Sequence, residues 1–109
     1  MKGIVVTTDL EIRIEEFSDP LYKTVGSAVG GYIEHVKPAR LRHPYCMIVN
    51  EEGRLLDLPL NYVGSYFYGT DQHGEPIVGN IVIMKDGKIS GELERSKQLD
   101  ENSLITMMV

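Results

Sequence analysis

The stretch "VGSAVGGYIEHV", residues 25–36, marks the point where a helical pattern of apolar residues gives way to a strand pattern. Pro20 suits the first position of a helix and Asp19 can cap it, whereas Gly30 and Gly31 suit a left-handed helix end. Between these signals the apolar residues recur at helical spacing and form one stripe, which consists of Leu21, Val25, Ala28 and Val29. The stretch therefore predicts a helix that ends at the glycine pair and hands over directly to a strand.

The glycines of this stretch also raise the question of a phosphate-binding loop. A dinucleotide fingerprint places its glycines after a strand and before a helix, so that phosphate meets the helix N-terminus. Here the order is reversed, and the C-terminus of a helix carries partial negative charge, which repels phosphate. The pattern favours a plain helix-to-strand connection, in which Gly26 lets a neighbouring element approach the helix closely.

Outward from this stretch, most of the chain has the composition of strands. The predicted strands are 3–6, 11–17, 31–36, 44–50, 53–57, 77–84 and 89–95, with hairpins joining 3–6 to 11–17, 45–50 to 53–57 and 77–84 to 89–95. Ile12 and Ile14 alternate with charges, which predicts a half-buried strand. Residues 59–69 are predicted to form a short helical or irregular segment and 70–76 a polar loop, while the tail 96–109 fits a short helix or a strand.

The order of these elements predicts the fold class. Strands and helices do not alternate, so a doubly wound parallel sheet is disfavoured. We predict one α+β domain over residues 1–109, with a mainly antiparallel sheet of about six strands and one main helix packed on one face. A chain of 109 residues with 42% apolar residues can bury a single core.

Composition narrows the function classes. Cys46 is the single cysteine, so an intrachain disulfide and a four-cysteine zinc site are excluded, and a cytoplasmic location is expected. No apolar run approaches the ~20 residues that span a bilayer, and residues 1–14 predict a strand rather than a signal peptide. The net charge of -5 argues against direct nucleic-acid binding. The one basic run, residues 37–43, is interpreted as a solvated loop, with a local anion-binding patch as the alternative.

Three segments of the chain resemble one known family. They are "VGGYIEHV" (29–36), "MIVNEEGRLLDLPLN" (47–61) and "IVGNIVIM" (77–84), and together they resemble the domain of unknown function 3846 over about residues 21–84. Such domains occur in phages, plasmids and conjugative elements of bacteria, alone or beside anti-restriction modules. The resemblance implies a mobile-element accessory protein in the bacterial cytoplasm, and it implies no activity.

Two polar residues of the family-like segments are candidate ligand contacts. Glu34 lies in mid-strand, and a covered carboxylate there would need an arginine partner and would suit acid–base chemistry. The alternative is a structural ion pair or a solvated carboxylate. Asn61 precedes the tyrosine-rich segment, where capping of the helical turn is preferred to contact with a ligand.

The residue pattern gives little support for a metal site or for a nucleophilic cysteine or serine. His35, His43 and His73 with Cys46 match no common zinc spacing, and a basic loop separates His35 from Cys46. Cys46 lies in an apolar strand, where cysteines are usually inert, and no strained serine turn of the Gly-x-Ser-x-Gly type is present. We therefore predict no metal, no cofactor and no catalytic residue, and these observations argue against an enzyme.

The aromatic residues concentrate in Tyr62, Tyr66, Phe67 and Tyr68, followed by the loop "GTDQHGE" with His73. Tyr62 and Tyr66 are four residues apart, so they share a face if the segment is helical. Tyrosines of this kind either cover a sheet or form an interface. The candidate binding residues are accordingly Glu34, Asn61, Tyr62, Tyr66, Tyr68 and His73.

Three functions are compatible with these observations. The first is a non-enzymatic module that binds a protein partner or a small ligand through residues 62–68. The second is an acidic DNA mimic or anti-restriction inhibitor, although 16 acidic residues face 11 basic ones and are scattered. The third is a small nucleotide-binding protein or hydrolase that uses Glu34. A homodimer through an edge strand or the tyrosine segment is a further expectation.

Overall fold

The computed structural model describes residues 1–36, 38 and 40–93. Their central feature is a five-stranded sheet in which every neighbouring pair is antiparallel, in the order β2-β1-β5-β4-β3. The strands are β1 (Lys2–Val6), β2 (Ile12–Glu16), β3 (Ile33–Val36), β4 (Tyr45–Asn50) and β5 (Ile81–Lys85). The predicted α+β class with an antiparallel sheet is confirmed, and the predicted hairpin of the first two strands is β1–β2.

Helix α1 (Leu21–Val29) covers one face of the sheet. Its predicted apolar stripe is confirmed, because Leu21, Val25 and Val29 are buried against a core that includes Ile48 and Val82. The helix ends at Gly30, whose φ of 86° is left-handed, as the sequence predicts. The adjacent strand β4 is buried along five of its six residues, which fits a strand in the sheet interior.

The N-terminus of α1 differs from the prediction that Asp19 caps it. Pro20 is the N-cap, and the Glu92 carboxylate accepts hydrogen bonds from the Leu21 N–H, at 2.9 Å to Oε1 and 3.1 Å to Oε2. Asp19 instead pairs with Lys88, whose Nζ lies 2.8 Å from Asp19 Oδ1. A carboxylate from a distant segment thus satisfies a donor that no local side chain reaches.

That distant segment corrects a second prediction. Residues 88–93 are helical, whereas the sequence predicted a strand over 89–95; residues 94 and 95 lie outside the described residues, as does the tail 96–109. Ile89 is fully buried in the α1 core and Glu92 reaches the α1 N-terminus, so tertiary contacts made from one helical face accompany a helix where the local sequence predicted a strand.

The predicted strand 53–57 is also wrong, since residues 51–57 form consecutive turns. Backbone hydrogen bonds run from Leu56 N–H to the Glu52 carbonyl and from Leu58 N–H to the Gly53 carbonyl, which coils the segment. A Cβ on Gly53 would lie 2.8 Å from a Val78 methyl group, so Gly53 packs closely against the segment before β5. Residues 51–57 therefore form turns packed at Gly53, and the predicted hairpin of 45–50 with 53–57 is not formed.

Among the residues that the structure describes, the cover on the second face of the sheet lies at one end only. Helix α2 (Tyr62–Tyr68) lies over the core that contains Val6, Met47 and Ile81, and the short α3 (Thr70–His73) follows it and occupies part of the predicted polar loop. At the other end Ile12 and Ile14 are 67% and 73% exposed, so β2 is not half-buried as predicted. None of the helices in the described residues is long and apolar enough to cross a membrane.

Candidate functional site

Helix α2 is fixed to the sheet by Asn61, which is completely buried. Its Oδ1 accepts a hydrogen bond from the Gly64 N–H at 2.9 Å, so the predicted capping role is confirmed. Its Nδ2 donates to the carbonyls of Val6 at 3.1 Å and Gly79 at 2.9 Å. Asn61 is therefore a structural residue, and its contribution to the molecular surface is to hold helix α2 in place.

The predicted tyrosine face of α2 is present. Tyr62 and Tyr66 lie one helical turn apart and are 65% and 62% exposed. Tyr68 is half-buried and, together with Phe67, packs against the core that contains Val6, Met47 and Ile81. The aromatic segment thus divides into two exposed tyrosines and two residues that cover the sheet.

Arg40 fixes the position of one of these tyrosines. Its guanidinium lies 4.8 Å from the centre of the Tyr66 ring, donates to the Tyr66 carbonyl at 3.0 Å, and binds both Asp71 carboxylate oxygens, at 2.7 and 2.9 Å. The hydrogen bond to Asp71 raises the pKa of Arg40 above its ordinary value. The side chain of Arg40 is therefore fixed by these contacts, whereas the sequence pattern of its basic run favours a solvated loop.

These residues line an open cleft of about 380 Å³. The lining consists of Arg40, Tyr62, Ser65, Tyr66, Thr70 and Asp71. Part of it comes from the loop that the sequence singled out, and His73 ends α3 in the same loop. We call the exposed side chains of Tyr62 and Tyr66, together with the half-buried side chain of Arg40, the tyrosine surface.

Glu34 belongs to a different place on the molecule. It is exposed on β3 and lines a groove of about 250 Å³ together with Tyr68, Arg54 and Glu75. Arg54 lies 3.7 Å from Glu75 in this groove. The structure therefore does not gather the candidate residues into one site, and the covered face that acid–base chemistry by Glu34 required is not found.

A third cluster combines residues that the sequence kept apart. His35 Nε2 lies 3.0 Å from Asp86 Oδ1 and 3.1 Å from Ser90 Oγ, and Cys46 Sγ is within 4.8 Å of the His35 and Asp86 ligand atoms. Ser90 also donates to Asp86 at 2.5 Å. One ring nitrogen faces both Ser90 and Asp86, whereas a catalytic triad uses opposite nitrogens.

Sequence reasoning missed Asp86 and Ser90 in this cluster. Strand pairing supplies the missing signal, because His35 pairs with Ile48 and Tyr45 pairs with Lys85. Antiparallel registers of this kind bring residues 35, 46 and 86 to the same end of three neighbouring strands, whatever loop separates them in sequence.

Comparison with known proteins identifies a family. The family model described as domain of unknown function (DUF3846) matches residues 1–103. No curated protein matches the chain, and no solved structure matches it. The resemblance seen over residues 21–84 is confirmed, and the match extends over residues 1–20 and 85–103 as well.

Proposed function

The chain belongs to the DUF3846 family, whose description names no activity, and we propose from its surface that it is a non-enzymatic module that binds a protein partner. The tyrosine surface is the contact site. We also propose that it has an accessory role in a phage or another bacterial mobile element.

The observation that carries the proposal is the pair of exposed tyrosines on α2. Tyr62 and Tyr66 expose about two thirds of their surface one helical turn apart. Tyrosine and arginine are enriched among the residues that dominate binding energy at interfaces. Arg40 holds the Tyr66 ring through its stacking contact and its two bonds to Asp71, so little side-chain entropy remains to be lost on binding.

The exposure of the tyrosines favours a protein over a small ligand. Small-molecule pockets typically bury roughly 70–90% of their ligand and have volumes of about 300–1,000 Å³. The cleft beside α2 reaches that volume, but the two tyrosines that line it are about two thirds exposed to solvent. A second protein surface can cover such side chains, whereas a small molecule leaves them largely wet.

The charge distribution gives less support to a DNA mimic. A mimic presents dense rows of free carboxylates, but several carboxylates here are neutralised by neighbouring cations, including Asp19 by Lys88, Asp71 by Arg40 and Glu75 by Arg54. Hydrogen bonds from Lys88 lower the pKa of Asp19, which fits this pairing. Glu34 is exposed, which likewise weakens the hydrolase alternative.

The test compares two tyrosines of similar exposure. A photo-crosslinking amino acid replaces Tyr66 or, as the control, Tyr32, which is 73% exposed away from the cleft. Crosslinking in a bacterial host lysate identifies a partner, and its affinity is then measured with purified protein. We expect Tyr66→Ala to weaken binding by about 30-fold, the equivalent of ~2 kcal/mol, and Tyr32→Ala to leave it unchanged. A partner that binds both variants as tightly as the parent protein contradicts the proposal.

A further inference from the structure

We propose that His35, Cys46 and Asp86 form a binding site for a divalent transition-metal ion, with zinc as the best match. The imidazole nitrogen, the thiol sulfur and a carboxylate oxygen of these residues all lie within 4.8 Å of one another. We call them the metal cluster. This inference is independent of the tyrosine surface, because it uses different residues.

The metal cluster is held by the sheet rather than by loops. His35 lies on β3 and Cys46 on β4, and Asp86 follows β5 directly. The Asp86 N–H donates to the Pro44 carbonyl at 2.8 Å, which extends the β4–β5 pairing up to the cluster. Cys46 is fully buried, whereas the His35 and Asp86 side chains retain 18% and 16% exposure. Side chains on paired strands are positioned with little freedom, and the partly exposed pair leaves a path from solvent.

The chemistry of the three groups fits zinc better than calcium or magnesium. Zinc takes nitrogen, sulfur and carboxylate ligands at about 2.0–2.3 Å, whereas calcium and magnesium prefer oxygen ligands only. Tetrahedral geometry at those bond lengths separates ligand atoms by roughly 3.3–3.8 Å. Since the three ligand atoms are now at most 4.8 Å apart, movements of about 1 Å bring them onto one ion.

Three protein ligands leave a fourth position of the ion open. Zinc sites of this composition keep a water or an exogenous ligand there. The Ser90 hydroxyl donates to Asp86 and lies 3.1 Å from His35 Nε2, so it is available as a hydrogen-bond partner for the coordinating carboxylate or for a metal-bound water. When metal binds, the Cys46 thiol loses its proton to solvent and the proton on His35 Nε2 is given up as the neutral ring takes its Nδ1–H tautomer. The His35–Asp86 hydrogen bond is thereby exchanged for two metal–ligand bonds.

Cobalt titration tests the site without assuming any activity. The full chain, treated with chelator and kept reduced, is titrated with Co²⁺ while its absorption spectrum is recorded. We expect one equivalent to give the intense visible bands of tetrahedral cobalt together with a thiolate-to-cobalt charge-transfer band, and Zn²⁺ to displace it.

Variants separate the cluster from adventitious binding. Asp86→Asn and His35→Ala should each weaken cobalt affinity by at least about tenfold, and Cys46→Ser should abolish the charge-transfer band. His43→Ala is the matched control, because His43 is an exposed histidine outside the metal cluster, and it should leave affinity unchanged. Circular dichroism confirms that each variant is folded, and Asp86→Asn decides the matter if burial makes Cys46→Ser unstable.

Two results would overturn the proposal. One is a weak, octahedral cobalt spectrum with no thiolate band in the parent protein, which would leave the cluster as a hydrogen-bonded group only. The other is cobalt affinity that falls with His43→Ala but not with Asp86→Asn, which would move binding to the surface.

Discussion

At the scale of single residues, Asn61 shows how one side chain can serve three parts of the fold. Its amide oxygen caps α2, and its amide nitrogen satisfies the carbonyls of Val6 and Gly79. The cap is predictable from sequence, because asparagine before a helical segment is a strong local preference. The two donated bonds are not predictable, since Val6 and Gly79 approach residue 61 only in the folded chain.

Substitution of Asn61 should separate these roles. Asn61→Ala removes the cap and leaves two buried carbonyls without this donor, so we expect a loss of about 3 kcal/mol or more in the free energy of unfolding. Asn61→Asp keeps a capping oxygen but places it against the same carbonyls, so it should lose at least as much at neutral pH. Urea unfolding of both variants provides the measurement.

Asn80→Ala is the control for Asn61. Asn80 is half-buried and, among the described residues, accepts one hydrogen bond, from the Thr8 N–H at 3.2 Å, so its removal should cost about 1 kcal/mol. If Asn61→Asp is instead close to the parent protein in stability, the donated bonds contribute little and the cap alone matters.

At the scale of elements, the helix-to-strand connection after α1 was predictable because local signals agreed with the packing. The apolar stripe, the left-handed Gly30 and the alternating strand all point to the same structure. The segments 53–57 and 88–93 were mispredicted because their local pattern and their packing disagree. Gly53 packs against Val78, and Ile89 is buried beneath α1, and neither contact is visible in sequence.

Gly26 in α1 makes the conflict between propensity and packing measurable. In the middle of a helix, alanine normally stabilises the folded state by about 0.5–1 kcal/mol relative to glycine. A Cβ at Gly26, however, would lie 2.9 Å from the Gly31 carbonyl oxygen, which belongs to the turn into β3. Because backbone cannot move aside easily, we expect Gly26→Ala to lower the free energy of unfolding by about 1–3 kcal/mol.

Ser27→Ala is the neighbouring control in the same helix. Ser27 is exposed, and its hydroxyl donates to the Lys23 carbonyl one turn earlier at 3.1 Å, so the change should lie within about 0.5 kcal/mol of the parent protein. A stabilising effect of Gly26→Ala in thermal unfolding would show that the Gly31 carbonyl yields and that helix propensity decides.

At the scale of the whole molecule, the sheet is covered unevenly. Alternation of apolar and charged residues predicted β2 correctly as a strand, but alternation does not reveal whether another element covers the apolar side. Here α2 lies over one end of the second face, and Ile4, Ile14 and Tyr45 stay exposed at the other, beside a shallow apolar cleft of about 380 Å³.

The free edge of β2 carries a self-complementary pattern. In the described part of the chain β2 pairs only with β1. The backbone hydrogen bonds of Glu11 and Phe17 point toward β1. Because backbone groups alternate in direction along an antiparallel strand, the N–H and C=O groups of Ile12, Ile14 and Glu16 face outward. A second copy that pairs antiparallel about Ile14 sets each Arg13 opposite the other copy's Glu15. The register centred on Arg13 would instead oppose two arginines, so charge selects the Ile14 register.

We therefore expect the protein to form a two-fold dimer through β2, which joins two sheets into one and places the exposed isoleucines of both copies side by side. Arg13→Glu should weaken the dimer by about tenfold, because two attractive cross-strand pairs become repulsive, and the double change Arg13→Glu with Glu15→Arg should restore it. Sedimentation over a concentration series measures the association, with Arg42→Glu, an equal charge change in an exposed loop, as the control. A dimer that is indifferent to Arg13→Glu, or a monomer at every concentration, contradicts pairing at this edge.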